Sequence, residues 1–160
     1  MTPADLTAVN DIAATVHAAY PEDPAVFQER LALYPDGCRV LSNDGMVTGY
    51  IVSHPWIYGQ PPALNTKLGM IPADADTFYI HDIALLGSGR NRNAARAVMH
   101  ALTALASKSG FQNLTLVAVN DSTAFWQKLG FRIVDDRTLD RKLKSYDDKA
   151  RFMRLDLAAN

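Results

Sequence analysis

Residues 87–99, GSGRNRNAARAVM, place two glycines ahead of Arg90 and Arg92, between two patterned runs. The run before them, TFYIHDIAL from Thr77 to Leu85, is nearly continuous in apolar and aromatic residues and is typical of a buried strand. The run after them has apolar residues at helical spacing. The first N–H groups of a helix lack internal partners and lie at its positive end. A strand, a glycine-containing loop and a helix therefore predict a phosphate-binding site.

Two common phosphate motifs do not fit this loop. Residues Gly87 and Gly89 begin a G-x-G-x-x-G pattern, but Arg92 occupies its third glycine position. No acidic residue ends a second strand about 20 residues later, as a dinucleotide site requires. No Gly-Lys-Ser/Thr follows either, so the loop is not a Walker loop.

The elements that position this loop follow from the remaining pattern. Apolar spacing predicts two helices before Pro35, and Asp44-Gly45 predicts a hairpin between two strands. A long loop from Pro55 to Asp76 precedes the 77–85 strand. The helix after the glycine loop is predicted to end at Gly110.

The rest of the chain continues the alternation of strands and helices. Residues 114–119 predict a buried strand, and a short helix follows, capped by Asn120 or Asp121 and ended at Gly130. Two closing strands flank a charged loop, residues 135–149. This order predicts an α/β fold with a mixed central sheet and helices on both faces. No repeat or linker interrupts it, so residues 1–160 are predicted to form one domain.

Composition narrows the functional classes. The chain has 160 residues, 48% hydrophobic and 21% charged, with a formal net charge of −1. We expect no nucleic-acid partner because there is no basic field, and no membrane partner because no apolar run approaches ~20 residues. The single cysteine, Cys38, is predicted to be a buried structural thiol and fits a reducing compartment. We therefore expect a cytoplasmic protein; the sequence leaves its oligomeric state open, a homodimer included.

Two longer stretches carry a family resemblance. YIHDIALLGSGRNRNAARAVMHALTALASKSGF, followed by LTLVAVNDSTAFWQKLGF, resembles the GNAT superfamily of acyl-CoA-dependent N-acetyltransferases. The resemblance implies a GNAT-like single-domain fold that binds acetyl-CoA as acyl donor. It places the family's pyrophosphate loop, Arg/Gln-x-x-Gly-x-Gly/Ala, on Arg90, Asn91, Arg92, Asn93, Ala94 and Ala95. The expected cofactor-binding residues also include Ile83, Leu85, Asn120 and Trp126.

The sequence departs from the family at two of these positions. Asn93 replaces the usual glycine, and asparagine tolerates left-handed backbone better than most residues. Trp126 stands where many members have a tyrosine that protonates the leaving thiolate. Indole is not an acid near neutral pH. A thiol with a pKa of ~8.5 needs little protonation, however, so transfer is not abolished. Trp126 is better interpreted as a core residue or pocket wall.

The predicted catalytic residues lie on the strand before the loop. An alkyl ammonium with a pKa of ~10.4 must lose a proton before it can attack a thioester. The family's diamine acetyltransferases carry Glu-Asp at this place, and this chain carries His81 and Asp82. Histidine, with a pKa of ~6.5, suits the role of base. Neighbouring side chains face one pocket only if the strand bulges, so His81, Asp82 and ordered water all stay open.

The acceptor end has weaker signals. The family fold places SHPWIYGQPPALN beside the acceptor, so His54, Trp56, Tyr58 and Asn65 are predicted to bind substrate. The alternative is that Trp56 and Tyr58 only pack the loop down. The four histidines show no metal-ligand spacing, and we expect no metal.

The leading hypothesis is acetyl transfer from acetyl-CoA to the primary amine of a small molecule or amino-acid-like acceptor, in a ternary complex. The resemblance implies that a backbone N–H near Leu85 polarises the thioester carbonyl. The alternatives are a non-catalytic CoA-binding module and a protein N-terminal or lysine acetyltransferase.

Overall fold

The central feature of the fold is a six-stranded sheet in the order β1-β2-β3-β4-β6-β5. The computed structural model describes residues 1–87 and 92–158, apart from the side chains of residues 92 and 93. β3 and β4 are parallel, and every other neighbouring pair is antiparallel. The predicted mixed sheet is confirmed.

The elements alternate as the sequence pattern predicts. The strands are β1 (Cys38–Asn43), β2 (Met46–Trp56), β3 (Thr77–Leu85), β4 (Asn113–Ala118), β5 (Arg132–Ile133) and β6 (Arg151–Asp156). The helices are α1 (Leu6–Val16), α2 (Pro24–Leu33), α3 (Arg92–Lys108), α4 (Thr123–Lys128) and α5 (Asp140–Lys144). No helix among residues 1–87 and 92–158 is both long enough and apolar enough to cross a membrane.

Two apolar clusters pack on the sheet. One joins α1 and α2 to β1, β2 and β3, and Cys38 lies in it as a free, buried thiol. Burial raises the pKa of Cys38 to about 11, so the prediction of a structural thiol is confirmed. The other cluster joins α3 and α4 to the central strands through residues such as Met99, Leu102 and Trp126.

The centre of the sheet is interrupted at two neighbouring points. β3 pairs with β4 only from Phe78 to Ile80, although β3 continues to Leu85. The register between β2 and β3 shifts where Val52 faces Asp82 and Ser53 faces Ile80, which leaves His81 as the extra residue of a β-bulge. A bulge bends its strand and increases the local twist. The sheet therefore opens between β3 and β4 directly after Ile80.

The long loop between β2 and β3 is fastened to the second half of α2. Glu29 accepts hydrogen bonds from the backbone N–H groups of Leu68 and Gly69, at 2.7 and 3.0 Å. The buried guanidinium of Arg30 donates to the carbonyl oxygen of Thr66 at 2.8 Å. These contacts hold the loop beside the opening in the sheet.

Three local predictions have different outcomes. The Asp44-Gly45 hairpin is confirmed, and both residues have positive φ, 49° and 79°. The predicted cap of α4 is wrong, because Asn120 and Asp121 form a left-handed turn and the N-cap is Ser122. The predicted charged loop contains a helix, α5, which is too short for a clear periodic signal.

We predict that Gly37→Ala destabilises the protein. A Cβ atom at Gly37 would lie 2.0 Å from the carbonyl oxygen of Ser53 on β2, a distance that requires backbone movement. Overpacking of this kind costs about 1–3 kcal/mol, measurable as a lower free energy of unfolding in urea. Gly87→Ala is the control, because no atom of the described residues lies within 4 Å of a Cβ atom there. Equal stability of the two variants would contradict the prediction.

Candidate functional site

Two cavities meet where β3 and β4 separate. The smaller, of about 360 Å³, lies under α1, the start of α2 and the long loop, and we call it the small cavity. The larger, of about 810 Å³, lies between β3, β4, α3 and α4, and we call it the large cavity. Both are lined by His17, His81, Asp82, Val117 and Val119. The two cavities therefore border each other at these side chains.

The small cavity combines apolar walls with carboxylates. Its aromatic walls are Tyr20, Phe27, Tyr79 and Tyr146. Its acidic residues are Asp11, Glu22 and Asp82, and the structure describes no lysine or arginine in its lining. The side-chain oxygen of Asn10, which also lines it, is buried and has no hydrogen-bond partner among the described residues. The cavity is suited to a ligand that is cationic and donates hydrogen bonds.

The large cavity has the opposite charge character. Arg96 on α3 and Lys128 on α4 line it, together with Asn120 and Ser122. Asp82, at the wall shared with the small cavity, is the one acidic side chain in its described lining. Such a groove is suited to an anionic ligand.

Asp82 is held by donors from two other elements. Its Oδ1 lies 3.0 Å from Nε2 of His17, the residue that ends α1. Its Oδ2 accepts a hydrogen bond from the hydroxyl of Tyr50 on β2. Burial raises the pKa of Asp82, but the hydrogen bonds and the charge of His17 outweigh it and hold the pKa below its ordinary value. Asp82 is therefore a carboxylate at neutral pH.

His81 forms a second histidine–carboxylate pair. Its Nε2 lies 2.9 Å from Oε2 of Glu22, which precedes α2. Burial raises the pKa of Glu22, but the hydrogen bond and charge of His81 outweigh it, and the net shift is downward. Oε1 of Glu22 accepts from the backbone N–H of Asn65 at 3.1 Å. The bulge thus lets His81 and Asp82 line the same cavities. The sequence required such a bulge if both side chains were to face one pocket.

The predicted cofactor residues fall in three groups. Ile83, Leu85, Ala95, Asn120 and Trp126 line the large cavity, and Ala94 lies in the first turn of α3. Trp126 is 6% exposed and packs edge-on against Phe131, as expected for a core residue and pocket wall. Arg90 and Asn91 lie outside the described residues, and so do the side chains of Arg92 and Asn93.

None of the predicted substrate-binding residues appears in the described lining of either cavity. His54 is buried between aromatic rings, and burial lowers its pKa to about 3. The indole N–H of Trp56 donates to the carbonyl of Gln60 at 2.7 Å, and Tyr58 packs against Phe152. Trp56 and Tyr58 therefore pack the loop, the alternative interpretation. Asn65 supports Glu22 through its backbone. Their role in substrate binding remains a prediction that this geometry does not support.

Sequence reasoning missed four residues of the small cavity: His17, Tyr20, Glu22 and Tyr146. The hydroxyl of Tyr20 donates to Asp147 at 2.7 Å, and that of Tyr146 donates to the carbonyl of Pro62. Both bonds join segments more than 80 residues apart. The one local feature that could have indicated this cavity is His17 directly after an amphipathic helix, followed by Tyr20 and Glu22.

The sequence and the fold also identify the family of this chain. A sequence model described as the Acetyltransferase (GNAT) family matches residues 7–131. The chain belongs to the GNAT acetyltransferase family. No curated protein matches this GNAT chain.

Solved GNAT-like structures share the fold over nearly the whole chain. Ard1 from Thermoplasma volcanium is 18% identical, with 99% of this chain and 95% of that chain covered and a TM-score of 0.73. The GNAT-like decarboxylase GphF, solved with isobutyryl-CoA, is 18% identical over 99% and 97%, with a TM-score of 0.74. The ribosomal-protein-S18-alanine N-acetyltransferase from Escherichia coli is 16% identical over 100% and 92%, with a TM-score of 0.67.

Two histidines of this GNAT chain pair with carboxylates at the cavities, His17 with Asp82 and His81 with Glu22. Within residues 1–87 and 92–158, no group of three or more His, Cys, Asp or Glu side chains is arranged to hold a metal ion. The site chemistry that the structure describes is therefore that of histidine–carboxylate pairs between two cavities.

We predict that Tyr50→Phe destabilises the protein by about 1.5–3 kcal/mol, because it removes a hydrogen bond to the buried charge of Asp82. The loss should shrink as the pH falls through the lowered pKa of Asp82, since protonation removes that charge. Urea unfolding at several pH values measures both effects. Tyr34→Phe is the control, because its hydroxyl lies 3.4 Å from Ser109 at the surface. A loss that does not depend on pH would contradict the role of the charge.

Proposed function

We propose that this protein transfers an acetyl group from acetyl-CoA to a primary amine within a ternary complex. The observation that carries the proposal is the wall of His17, His81 and Asp82 shared by the two cavities. A thioester in the large cavity and an amine in the small one would meet there without an acyl-enzyme intermediate. Direct attack is possible because two bound reactants held in contact react as if at very high local concentration.

The charge of the large cavity supports its assignment to CoA. CoA carries phosphates, and Arg96 and Lys128 line this cavity. The N-terminus of α3, which begins at Arg92, supplies backbone N–H groups of the kind that bind pyrophosphate. Ala95, in the first turns of that helix, is small enough to allow close approach of a ligand. Arg90, Asn91, Arg92 and Asn93 are proposed to contact the phosphates, on the family pattern alone.

The small cavity supports a cationic acceptor that lacks a carboxylate. The ammonium group of an amine is attracted by Glu22 and Asp82. Tyr20, Phe27 and Tyr146 provide apolar and π surfaces for the body of the amine. A carboxylate on the acceptor would have no cationic lysine or arginine partner in the described lining and would face two carboxylates.

The proposed reaction needs a proton acceptor near the shared wall. His81 and Asp82, the predicted catalytic residues, both lie there. Asp82, with its lowered pKa, is a weak proton acceptor but can hold a neighbouring imidazole in place. The thiolate of CoA is a good leaving group near neutral pH, so a buried Trp126 in place of tyrosine is compatible with transfer.

Two other functions share part of this geometry. A protein N-terminus is also an ammonium without an adjacent carboxylate. One structural neighbour is a ribosomal-protein-S18-alanine N-acetyltransferase, which resembles this chain in its fold alone. A non-catalytic CoA-binding module would use the large cavity alone. Binding and turnover experiments separate the three.

We predict that acetyl-CoA binds with measurable heat in calorimetry. Arg90→Ala should weaken binding by about 1.5–3 kcal/mol if it donates to a phosphate. Arg96→Ala should weaken it by about 0.2–1 kcal/mol, since Arg96 is exposed. Lys108→Ala, at the far end of the same helix, is the control and should bind as the unchanged protein does. No heat with millimolar acetyl-CoA would contradict the proposal.

We predict that 2-phenylethylamine is acetylated with a kcat/KM at least about tenfold higher (~1.4 kcal/mol) than phenylalanine, which differs only by its carboxylate. Phenylalaninamide, whose carboxylate is neutralised as an amide, should recover part of the difference. CoA release, followed with a thiol reagent, measures all three. Faster reaction of phenylalanine would contradict the acceptor class, and a peptide preferred to every small amine would favour a protein acceptor. Binding of acetyl-CoA without turnover of any amine or peptide would favour the non-catalytic module.

A further inference from the structure

We infer that His17, held by the carboxylate of Asp82, is the group that takes the proton from the acceptor amine. The inference rests on the proposed function and adds a catalytic residue from outside the strand that carries His81 and Asp82. His17 ends α1 and lines both cavities at the point where they meet. An amine in the small cavity and a thioester in the large one would therefore both border this ring.

The contacts of His17 determine which ring nitrogen is basic. Nε2 lies 3.0 Å from Oδ1 of Asp82 and 3.1 Å from the carbonyl oxygen of Ile83. A carbonyl oxygen and an ionised carboxylate can only accept hydrogen bonds, so Nε2 carries the hydrogen. In the neutral ring Nδ1 then holds the lone pair, and no described residue hydrogen-bonds it. Nδ1 is therefore the nitrogen that is available to a substrate proton.

The surroundings of His17 stabilise the imidazolium that would form. Burial lowers the pKa of His17, but the hydrogen bond and charge of Asp82, the carbonyl of Ile83 and the charge of Glu22 outweigh it, so the net shift is upward. The ring also ends a helix, where the dipole favours a cation. The other titratable groups that face this pair are Tyr50, which donates to Asp82, and His81 beside it.

The other two candidates are less suited to take the proton directly. Both oxygens of Asp82 are already occupied, one by His17 and one by Tyr50. The His81 side chain is 6% exposed, against 20% for His17, so its ring is less accessible to a ligand. Asp82 then acts as a positioning residue, which fixes the tautomer and orientation of His17.

The proposed step balances in protons and bonds. Nδ1 of neutral His17 takes one proton from the ammonium, and the resulting imidazolium pairs with Asp82. The free amine forms a C–N bond to the thioester carbonyl, and the C–S bond then breaks. The second proton of the amine nitrogen passes to the departing thiolate to give CoA thiol. His17 finally returns its proton to solvent, so the net reaction releases one proton.

Kinetics test the role of His17 first. His17→Gln should lower kcat/KM for the amine by about 10²-fold or more and remove the acid limb of its pH profile. The matched control is His100→Gln, which replaces an exposed histidine on α3. This variant should retain the kcat/KM and the acid limb of the unchanged protein. In Asp82→Asn the acid limb should move to lower pH, because the loss of the carboxylate leaves burial to depress the pKa of His17. Added imidazole should partly restore the rate of His17→Ala, a rescue that a purely structural role would not give.

Two comparisons complete the test. Calorimetry should show that His17→Gln still binds acetyl-CoA, which shows that the variant is folded. Nitrogen-15 NMR of the unchanged protein, with His17→Gln for assignment, should show hydrogen on Nε2 of neutral His17 and titration above its ordinary pKa.

The outcomes separate this inference from the proposed function. Full activity of His17→Gln, or a ring with hydrogen on Nδ1, would overturn the role of His17. Loss of activity in His81→Gln but not in His17→Gln would transfer that role to His81. A protein that binds acetyl-CoA but acetylates no amine would overturn the proposed function and the base with it.

Discussion

The short pairing between β3 and β4 is the constraint on which the rest of the site depends. These strands are hydrogen-bonded from Phe78 to Ile80 and then separate, and the bulge at His81 lies directly beyond. A parallel pair that continued to Leu85 would have closed the space that both cavities occupy. Because His81 is an extra residue, it and Asp82 line the same opening instead of opposite faces. The core packs normally on either side of this break.

The two histidine–carboxylate pairs explain how charge is tolerated in the opening. A buried carboxylate without partners would be costly, but Asp82 and Glu22 each receive hydrogen bonds from a histidine and one further donor. Their lowered pKa values mean that both contribute stability above about pH 4.5, which is lost as the pH falls through their folded values. His17, with its raised pKa, contributes stability below about pH 6.5, which is lost as the pH rises through its folded value.

The charge pattern also divides the opening into two halves. Basic residues line the large cavity, and carboxylates with aromatic rings line the small one. An anionic cofactor and a cationic acceptor would thus be attracted to different sides and would meet at the uncharged Val117 and Val119 and the paired histidines. The fold alone does not specify this arrangement, because GNAT-like structural neighbours include a decarboxylase as well as an acetyltransferase.

The sequence by itself determined the order of the main strands and helices and several residues that line the large cavity. The 77–85 strand, the long helix that ends before Gly110, the Asp44-Gly45 hairpin and the buried Trp126 follow from local periodicity, turn chemistry and two signature motifs. These are short-range properties, which one segment of chain expresses without its neighbours.

Only the tertiary structure decided the lining of the small cavity. His17, Tyr20, Glu22 and Tyr146 converge from two separate segments, and hydrogen bonds that span many residues fix them. The aromatic residues that the sequence predicted to bind substrate pack outside the two cavities. Tyr58 packs against Phe152, and Trp56 donates a hydrogen bond to the carbonyl of Gln60. The sequence indicates that His81 and Asp82 can line one cavity only if their strand bulges. Whether the bulge forms depends on the register of β2 against β3. Register and loop path are set by packing across the whole sheet, and no single stretch of sequence carries that information.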